Sequence, residues 1–79
     1  MAYSILLVED SFQISEGIVD FFANKANGEY EITVVNDGDS ALAIKDDFDL
    51  VFLDIMLPGA SGFEVCSSIR RRSDCPIIF

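Results

Sequence analysis

The chain has 79 residues, 51% of them apolar and 24% charged, which suits one small domain and is too apolar for a disordered acidic tail. Asp and Glu outnumber Lys and Arg by 14 to 5, and the net charge of −9 with no histidine argues against nucleic-acid binding, because clustered Lys and Arg hold phosphate backbones. No apolar run approaches the ~20 residues that span a bilayer, and no basic residue precedes Lys25, so we expect a cytoplasmic protein without a membrane segment or a signal peptide.

The first half of the chain predicts a strand, a helix and a second strand. The apolar run at residues 5–8 is typical of a strand buried on both faces of a parallel sheet. A helix follows, with Asp10 or Ser11 as its candidate N-cap and Asn27-Gly28 as its predicted end. Its predicted apolar stripe has five members: Ile14, Ile18, Phe21, Phe22 and Ala26. Residues 30–35 alternate between apolar and polar side chains, which indicates a strand near a sheet edge.

The second half predicts two further helices and two further strands. A turn at residues 37–39 leads into a helix from about Ser40 to Asp46, which buries Ala41, Leu42 and Ile44. The apolar run at residues 50–53 predicts the third strand, and residues 76–79 predict the fourth. Between them a helix runs from about Gly62 to Arg71 and places three side chains on one face: Val65, Cys66 and Ile69.

This alternation of strands and helices predicts a parallel sheet. Strands that are joined through helices pair in parallel, and such crossovers are almost always right-handed. If the second strand lies on one side of the first, and the third and fourth lie on the other, the strand order is 2-1-3-4. The first helix then covers one face of the sheet, and the other two cover the opposite face. Ligands of such sheets bind beyond the carboxyl ends of the strands where the order reverses, which here is between the first and third strands.

Acidic residues follow both of those strands. The first strand leads directly into Glu9 and Asp10, and the third leads into Asp54. Acids often stand near helix N-termini for structural reasons alone, but carboxylates about 4 Å apart repel by roughly 4 kcal/mol at an effective dielectric constant near 20, so a cluster of them calls for a cation. All-oxygen ligands without histidine favour Mg²⁺ over zinc. A rigid turn at Pro58-Gly59 bends the chain after Asp54 so that the Met56 carbonyl can face the ion.

Three stretches carry a resemblance to a known family. They are Leu7-Val8-Glu9-Asp10 before a helix, Asp37-Gly38 with Ala41-Leu42, and the segment DLVFLDIMLPG at residues 49–59 with Gly62. In this order and over all 79 residues the sequence resembles the receiver domain of two-component response regulators.

The resemblance implies a flavodoxin-like, doubly wound α/β sheet, incomplete here, with strand order 2-1-3-4 and three helices. It implies that Asp54 is the phosphoacceptor and a Mg²⁺ ligand, that Asp10 is a direct ligand, that Glu9 is a ligand through water, and that Met56 is a ligand through its backbone oxygen. The partner would be a histidine kinase or a phosphotransfer protein. The domain would accept a phosphoryl group without being a turnover enzyme for an external substrate.

The family pattern continues past Phe79 with a Ser or Thr and a Lys that contact the phosphoryl oxygens. Lys25 and Lys45 lie on predicted helices that point elsewhere, so no residue of this sequence is assigned to that role. We therefore expect residues 1–79 to form the N-terminal two-thirds of a receiver domain, with impaired phosphoryl transfer. Its fourth strand would be an open edge and one sheet face would be partly bare, so we expect the chain to self-associate through them.

Two other functions remain open at this point. A hydrolase of the phosphoaspartyl type also places an Asp after a buried strand, but its motif resembles Asp-x-Asp. Here the residue two positions after Asp54 is Met56, so the second carboxylate is missing. The other alternative is an inactive, self-associating α/β interaction fragment. A covalent adduct of about 80 Da, formed with Mg²⁺ and a small phosphodonor and lost in Asp54→Asn, distinguishes the receiver from these alternatives.

Overall fold

The computed structural model describes residues 3–26 and 29–79, and within these ranges four strands alternate with three helices. In chain order the elements are β1 (Tyr3–Val8), α1 (Phe12–Ala26), β2 (Tyr30–Val35), α2 (Gly38–Ala43), β3 (Leu50–Leu53), α3 (Gly62–Arg70) and β4 (Ile77–Ile78). Among the helices in these ranges, none is long and apolar enough to cross a membrane.

The strands form one parallel sheet in the order β2-β1-β3-β4, which confirms the predicted topology. β1 is central, and its Leu7 lies opposite Val34 of β2 and Phe52 of β3. The ladder continues past the strand ends, because the Glu9 amide donates to the Val35 carbonyl at 3.0 Å and the Asp54 amide donates to the Val8 carbonyl at 3.0 Å. The main chain is therefore held in place where the acidic residues begin.

The main core lies between the sheet and the pair α2 and α3. Seven buried side chains form it: Leu6, Val8, Ala41, Val51, Leu53, Val65 and Ile69. Burial of each large aliphatic side chain contributes about 1.5–3 kcal/mol to folding. The alternate residues of β1, Ile5 and Leu7, point to the opposite face, where Phe22 of α1 packs against Phe52 with ring centroids 6.0 Å apart. The helices are thus divided between the two faces as predicted.

The predicted apolar stripe of α1 is partly wrong. Ile14 and Phe21 are 53% and 56% exposed, whereas Ser15 is only 4% exposed. The helix is rotated so that Ser15, Ile18 and Phe22 face inward, and the buried Ser15 hydroxyl is satisfied because it donates to the Phe12 carbonyl at 3.1 Å.

α1 begins at one of its two predicted N-cap residues. Ser11 is the N-cap, since its hydroxyl accepts from the Ile14 amide at 3.4 Å. The predicted C-terminal signal, Asn27-Gly28, lies outside the described residues.

The predicted limits of the second helix, Ser40 and Asp46, are wrong at both ends, because α2 runs over Gly38–Ala43. It begins earlier because Asp37 is its N-cap: Asp37 Oδ1 accepts from the Ser40 amide at 2.6 Å and Oδ2 accepts from the Ser40 hydroxyl at 2.9 Å. These hydrogen bonds lower the pKa of the Asp37 carboxyl. The helix ends early because Ile44 is extended, which still lets Ile44 pack against the core beside Ala41 and Leu42.

The third helix and the last strand follow the sequence more closely. Val65 and Ile69 are buried and Cys66 packs against the same core, which confirms the predicted face of α3. β4 contains only Ile77–Ile78, shorter than the predicted residues 76–79.

Two arginines at the end of α3 bind main-chain carbonyls. An Arg70 guanidinium nitrogen donates to the Cys75 carbonyl at 2.6 Å, and an Arg72 guanidinium nitrogen donates to the Asp46 carbonyl at 2.8 Å.

Candidate functional site

Glu9, Asp10 and Asp54 meet at the carboxyl ends of β1 and β3, and we call them the acidic cluster. One carboxylate oxygen from each residue lies within 4.8 Å of the other two. Glu9 and Asp54 are half-buried, and Asp10 is exposed. The predicted convergence of these side chains is confirmed, and its cause is the adjacency of β1 and β3 in the sheet.

The fold disfavours ionisation of Glu9. Partial burial raises the pKa of its carboxyl, and the neighbouring carboxylates of Asp54 and Asp10 raise this pKa further. A hydrogen bond from the Ser11 amide to Glu9 Oε2, at 3.2 Å, acts in the opposite direction. A cation bound beside these carboxylates would therefore offset their mutual repulsion.

Asp54 is oriented by the chain that follows it. The Met56 amide donates to Asp54 Oδ1 at 3.0 Å, which restricts the rotation of the carboxylate. The Met56 side chain is 81% exposed, so the interaction of this residue with the cluster is made by its main chain. The predicted use of its carbonyl as a ligand stays a prediction.

Residues 55–61, which we call the site loop, connect β3 to α3. Gly59 has a φ of +75°, a conformation that glycine adopts without strain. Gly62, the first residue of α3, packs so closely on the Asp54 carbonyl that a Cβ would overlap it, and its amide donates to the Ile55 carbonyl at 3.1 Å. The chain thus folds back on itself immediately after Asp54.

Asn36 was missed in the sequence interpretation. Its side-chain amide donates to the Glu9 carbonyl at 3.1 Å and so ties the end of β2 to the main chain that carries the acidic cluster. The available signal was its position directly after β2, since the end of β2 lies beside the end of β1.

The donor set fits a hard divalent cation. Ligand oxygens of an octahedral Mg²⁺ ion lie roughly 3–4 Å apart, because each is about 2.1 Å from the metal. The three carboxylate oxygens lie within 4.8 Å of one another, which is close to that spacing. A water between one carboxylate and the ion would make up the difference in distance. The two cysteines belong to the core on the α2 and α3 face and do not compete for the ion.

Lys45 makes its hydrogen bond away from this site. Lys45 Nζ donates to the Leu42 carbonyl near the end of α2, at 3.4 Å. Lys25 lies on α1, and its side chain is outside what the structure describes.

A cleft of about 290 Å³ opens below Glu9 and Asp54 on the α1 face of the sheet. Its apolar lining includes four side chains: Leu7, Ile18, Phe52 and Ile78. The site therefore borders an apolar surface on one side.

Comparison with known proteins agrees with this geometry. Residues 5–79 match the family model described as the response regulator receiver domain. The chain is 44% identical over 80 residues to the uncharacterized transcriptional regulatory protein YrkP of Bacillus subtilis (strain 168), covering 100% of this chain and 33% of that protein. It is 44% identical over 77 residues to the sensory transduction protein RegX3 of Mycolicibacterium smegmatis, covering 95% and 32%. The chain thus spans about a third of the length of these relatives.

Solved structures of response regulators are also similar to this chain. The response regulator TrrA from Thermotoga maritima, in complex with Mg²⁺ and BeF, has a TM-score of 0.82 and 36% identity, over 98% of this chain and 66% of that one. TrrA in complex with the histidine kinase ThkA has a TM-score of 0.79, with the same identity and coverage. The response regulator DrrB from Thermotoga maritima has a TM-score of 0.83 at 26% identity, over 98% of this chain and 34% of that one. The sheet is therefore flavodoxin-like, as expected.

Proposed function

The chain belongs to the response regulator receiver domain family, and from this we propose that Asp54 is its phosphoacceptor and that a histidine kinase is the donor. The observation that carries the proposal is the meeting of three carboxylate oxygens within 4.8 Å at the ends of β1 and β3. The structure of TrrA with the kinase ThkA supports a partner of this class.

We propose that Asp10, Asp54 and the Met56 carbonyl hold Mg²⁺ directly and that Glu9 holds it through water. A bound Mg²⁺ would neutralise the cluster and the equatorial oxygens of the incoming phosphoryl group. Glu9 and Asp10 supply the charge that retains a cation, and the Met56 amide keeps the Asp54 carboxylate in one orientation. The complex of TrrA with Mg²⁺ and BeF supports this assignment.

In the proposed transfer, an Asp54 carboxylate oxygen attacks the phosphorus of a phosphohistidine. A P–O bond forms and the P–N bond breaks, and the imidazole nitrogen keeps the electron pair and is protonated from solvent. The product is an acyl phosphate on Asp54. This chain thus takes up one phosphoryl group on itself, which differs from enzymatic turnover of an external substrate.

The test is to incubate the purified chain with Mg²⁺ and acetyl phosphate and to measure its intact mass. We expect an adduct of about 80 Da on Asp54, because its carboxylate is the nucleophile. Asp54→Asn should abolish the adduct and Asp10→Asn should reduce it. Asp20→Asn, on the exposed side of α1, is the matched control and should leave it unchanged. An unmodified wild-type chain, or an adduct that persists in Asp54→Asn, would refute the proposal.

A second candidate function is self-association, and the open edge of the sheet favours it. In the described sheet β4 pairs with β3 alone, and Ile78 and Phe79 are 49% and 59% exposed. An unpaired strand edge readily pairs with another chain. We expect a dimer or larger species by sedimentation at micromolar concentration, and Ile78→Lys should shift it toward monomer. A wild-type chain that sediments as a monomer would rule this candidate out.

A further inference from the structure

The first residues of α2 touch the site loop, although they lie far from Asp54 in the sequence. We propose that Gly38 is a positioning residue for the metal site, because its main chain holds the site loop in the place that the Met56 carbonyl and the Asp54 carboxylate require. This inference rests on the proposed function, since it concerns the Mg²⁺ site described there.

The contact between Gly38 and the loop leaves no space for a side chain. Gly38 is buried, and its amide donates to the Pro58 carbonyl at 3.0 Å. A Cβ at this position would overlap the Ala60 carbonyl and crowd the Ala60 Cα. Any other residue here must therefore displace main chain of the site loop.

The residues on both sides of Gly38 strengthen the contact. Asp37 accepts hydrogen bonds from Ser40, which fixes the backbone direction at the start of α2. Asp39 lies against Gly59, where an added Cβ would be 2.5 Å from Asp39 Oδ2. The first two residues of α2 thus contact three consecutive residues of the loop through a hydrogen bond, main-chain packing and a carboxylate.

A displacement at this contact would reach the acidic cluster through a short path. The site loop is fastened at its start by the Met56 amide on Asp54 Oδ1 and at its end by the Gly62 amide on the Ile55 carbonyl. Between these two points Leu57 packs against the core, and the Gly38 amide holds Pro58 through a hydrogen bond. Because Pro58 is two residues from Met56, a shift of Pro58 alters the main chain that orients Asp54.

The test compares Mg²⁺ dissociation constants by isothermal titration calorimetry for wild type, Gly38→Ala and two controls. Residues that orient metal ligands typically cost 10–100-fold in metal affinity when changed, so Gly38→Ala should weaken binding by roughly tenfold or more. Alanine is preferred over glycine in helices, so a purely helical role predicts no such loss.

Two control variants separate positioning from stability. Gly17→Ala changes a glycine of α1 with no atom near the added Cβ and should leave Mg²⁺ affinity unchanged. Ile69→Val lowers the melting temperature through the core but should also leave the affinity unchanged.

The outcomes are distinct. A folded Gly38→Ala that binds Mg²⁺ as tightly as wild type overturns the inference and leaves the proposed function standing. If Gly38→Ala does not fold, Gly59→Ala decides, because an added Cβ is strained at this φ and would meet Asp39 of α2, so it disturbs the same contact from the side of the loop. Unchanged Mg²⁺ affinity there overturns the inference. A wild-type chain without Mg²⁺ affinity overturns the proposed function and the inference with it.

Discussion

The ionised Glu9 side chain lowers the stability of the folded protein. Glu9 is half-buried beside two other acids, and its burial together with its neighbours raises the pKa of its carboxyl. Such a group favours folding less when ionised than when protonated. The acidic cluster is therefore an arrangement that binding of a cation would stabilise.

Glu9 should make the metal-free protein less stable as pH rises. The unfolded chain loses the Glu9 proton near the ordinary pKa of 4.5, while the folded chain retains it to higher pH. The folded state then binds more protons in this interval, so the free energy of unfolding falls as pH rises from 4.5 through the raised pKa. Glu9→Gln should lessen this fall in denaturation curves recorded without divalent ions.

Glu16→Gln, an exposed change on α1, serves as the control and should keep the wild-type pH dependence. If Glu9→Gln and wild type show parallel stability profiles over this interval, the burial argument for Glu9 does not hold.

The helices of the site begin at side-chain caps. α3 starts with a capping box, in which the Ser61 hydroxyl accepts from the Glu64 amide at 3.3 Å and the Ser61 amide donates to Glu64 Oε1 at 3.4 Å. This cap fixes where the site loop ends. The caps thus define both the helix start and the length of chain available to turn back after Asp54.

Ser61→Ala should lower the free energy of unfolding by about 1 kcal/mol, because it removes the hydroxyl half of the capping box. Urea denaturation followed by circular dichroism measures this change. The control is Ser67→Ala, an exposed position on the same helix, which should change stability by less than about 0.5 kcal/mol. Equal effects of the two substitutions would show that the cap contributes nothing beyond helix propensity.

The whole molecule carries a net charge of −9, which favours cations and opposes close approach of further anions. A phosphoryl group must therefore approach an already negative site. Because a cation that binds only the folded state stabilises it, the charge of the cluster links metal binding to folding.

Mg²⁺ at ten times its dissociation constant should raise the free energy of unfolding by about 1.4 kcal/mol. Thermal melts with MgCl₂ and with NaCl at equal ionic strength separate site binding from general screening of charge. Asp10→Asn should lose most of the magnesium-specific gain and keep the effect of salt. Equal stabilisation of wild type and Asp10→Asn would indicate screening alone.

The positions of the strands, and with the family's strand order the meeting of Glu9, Asp10 and Asp54, could be predicted from the sequence. Apolar runs mark the strands, and the right-handedness of crossovers, a consequence of L-amino-acid geometry, determines which face of the sheet each helix covers once the strand order is given. The order 2-1-3-4 itself follows from the resemblance to the receiver family. Acids that directly follow two neighbouring strands must then lie at one edge of the sheet.

The rotation of α1, the start of α2 and the contact of Gly38 with the site loop required the folded chain. A helical stripe can be drawn in more than one way, and packing of Phe22 on Phe52 selects the rotation that buries Ser15. Gly38 gave no local sign of its contact, since Ala60 approaches it from a distant part of the sequence. Periodicity and handedness act over neighbouring residues, whereas close approaches between distant segments depend on how all the elements pack together.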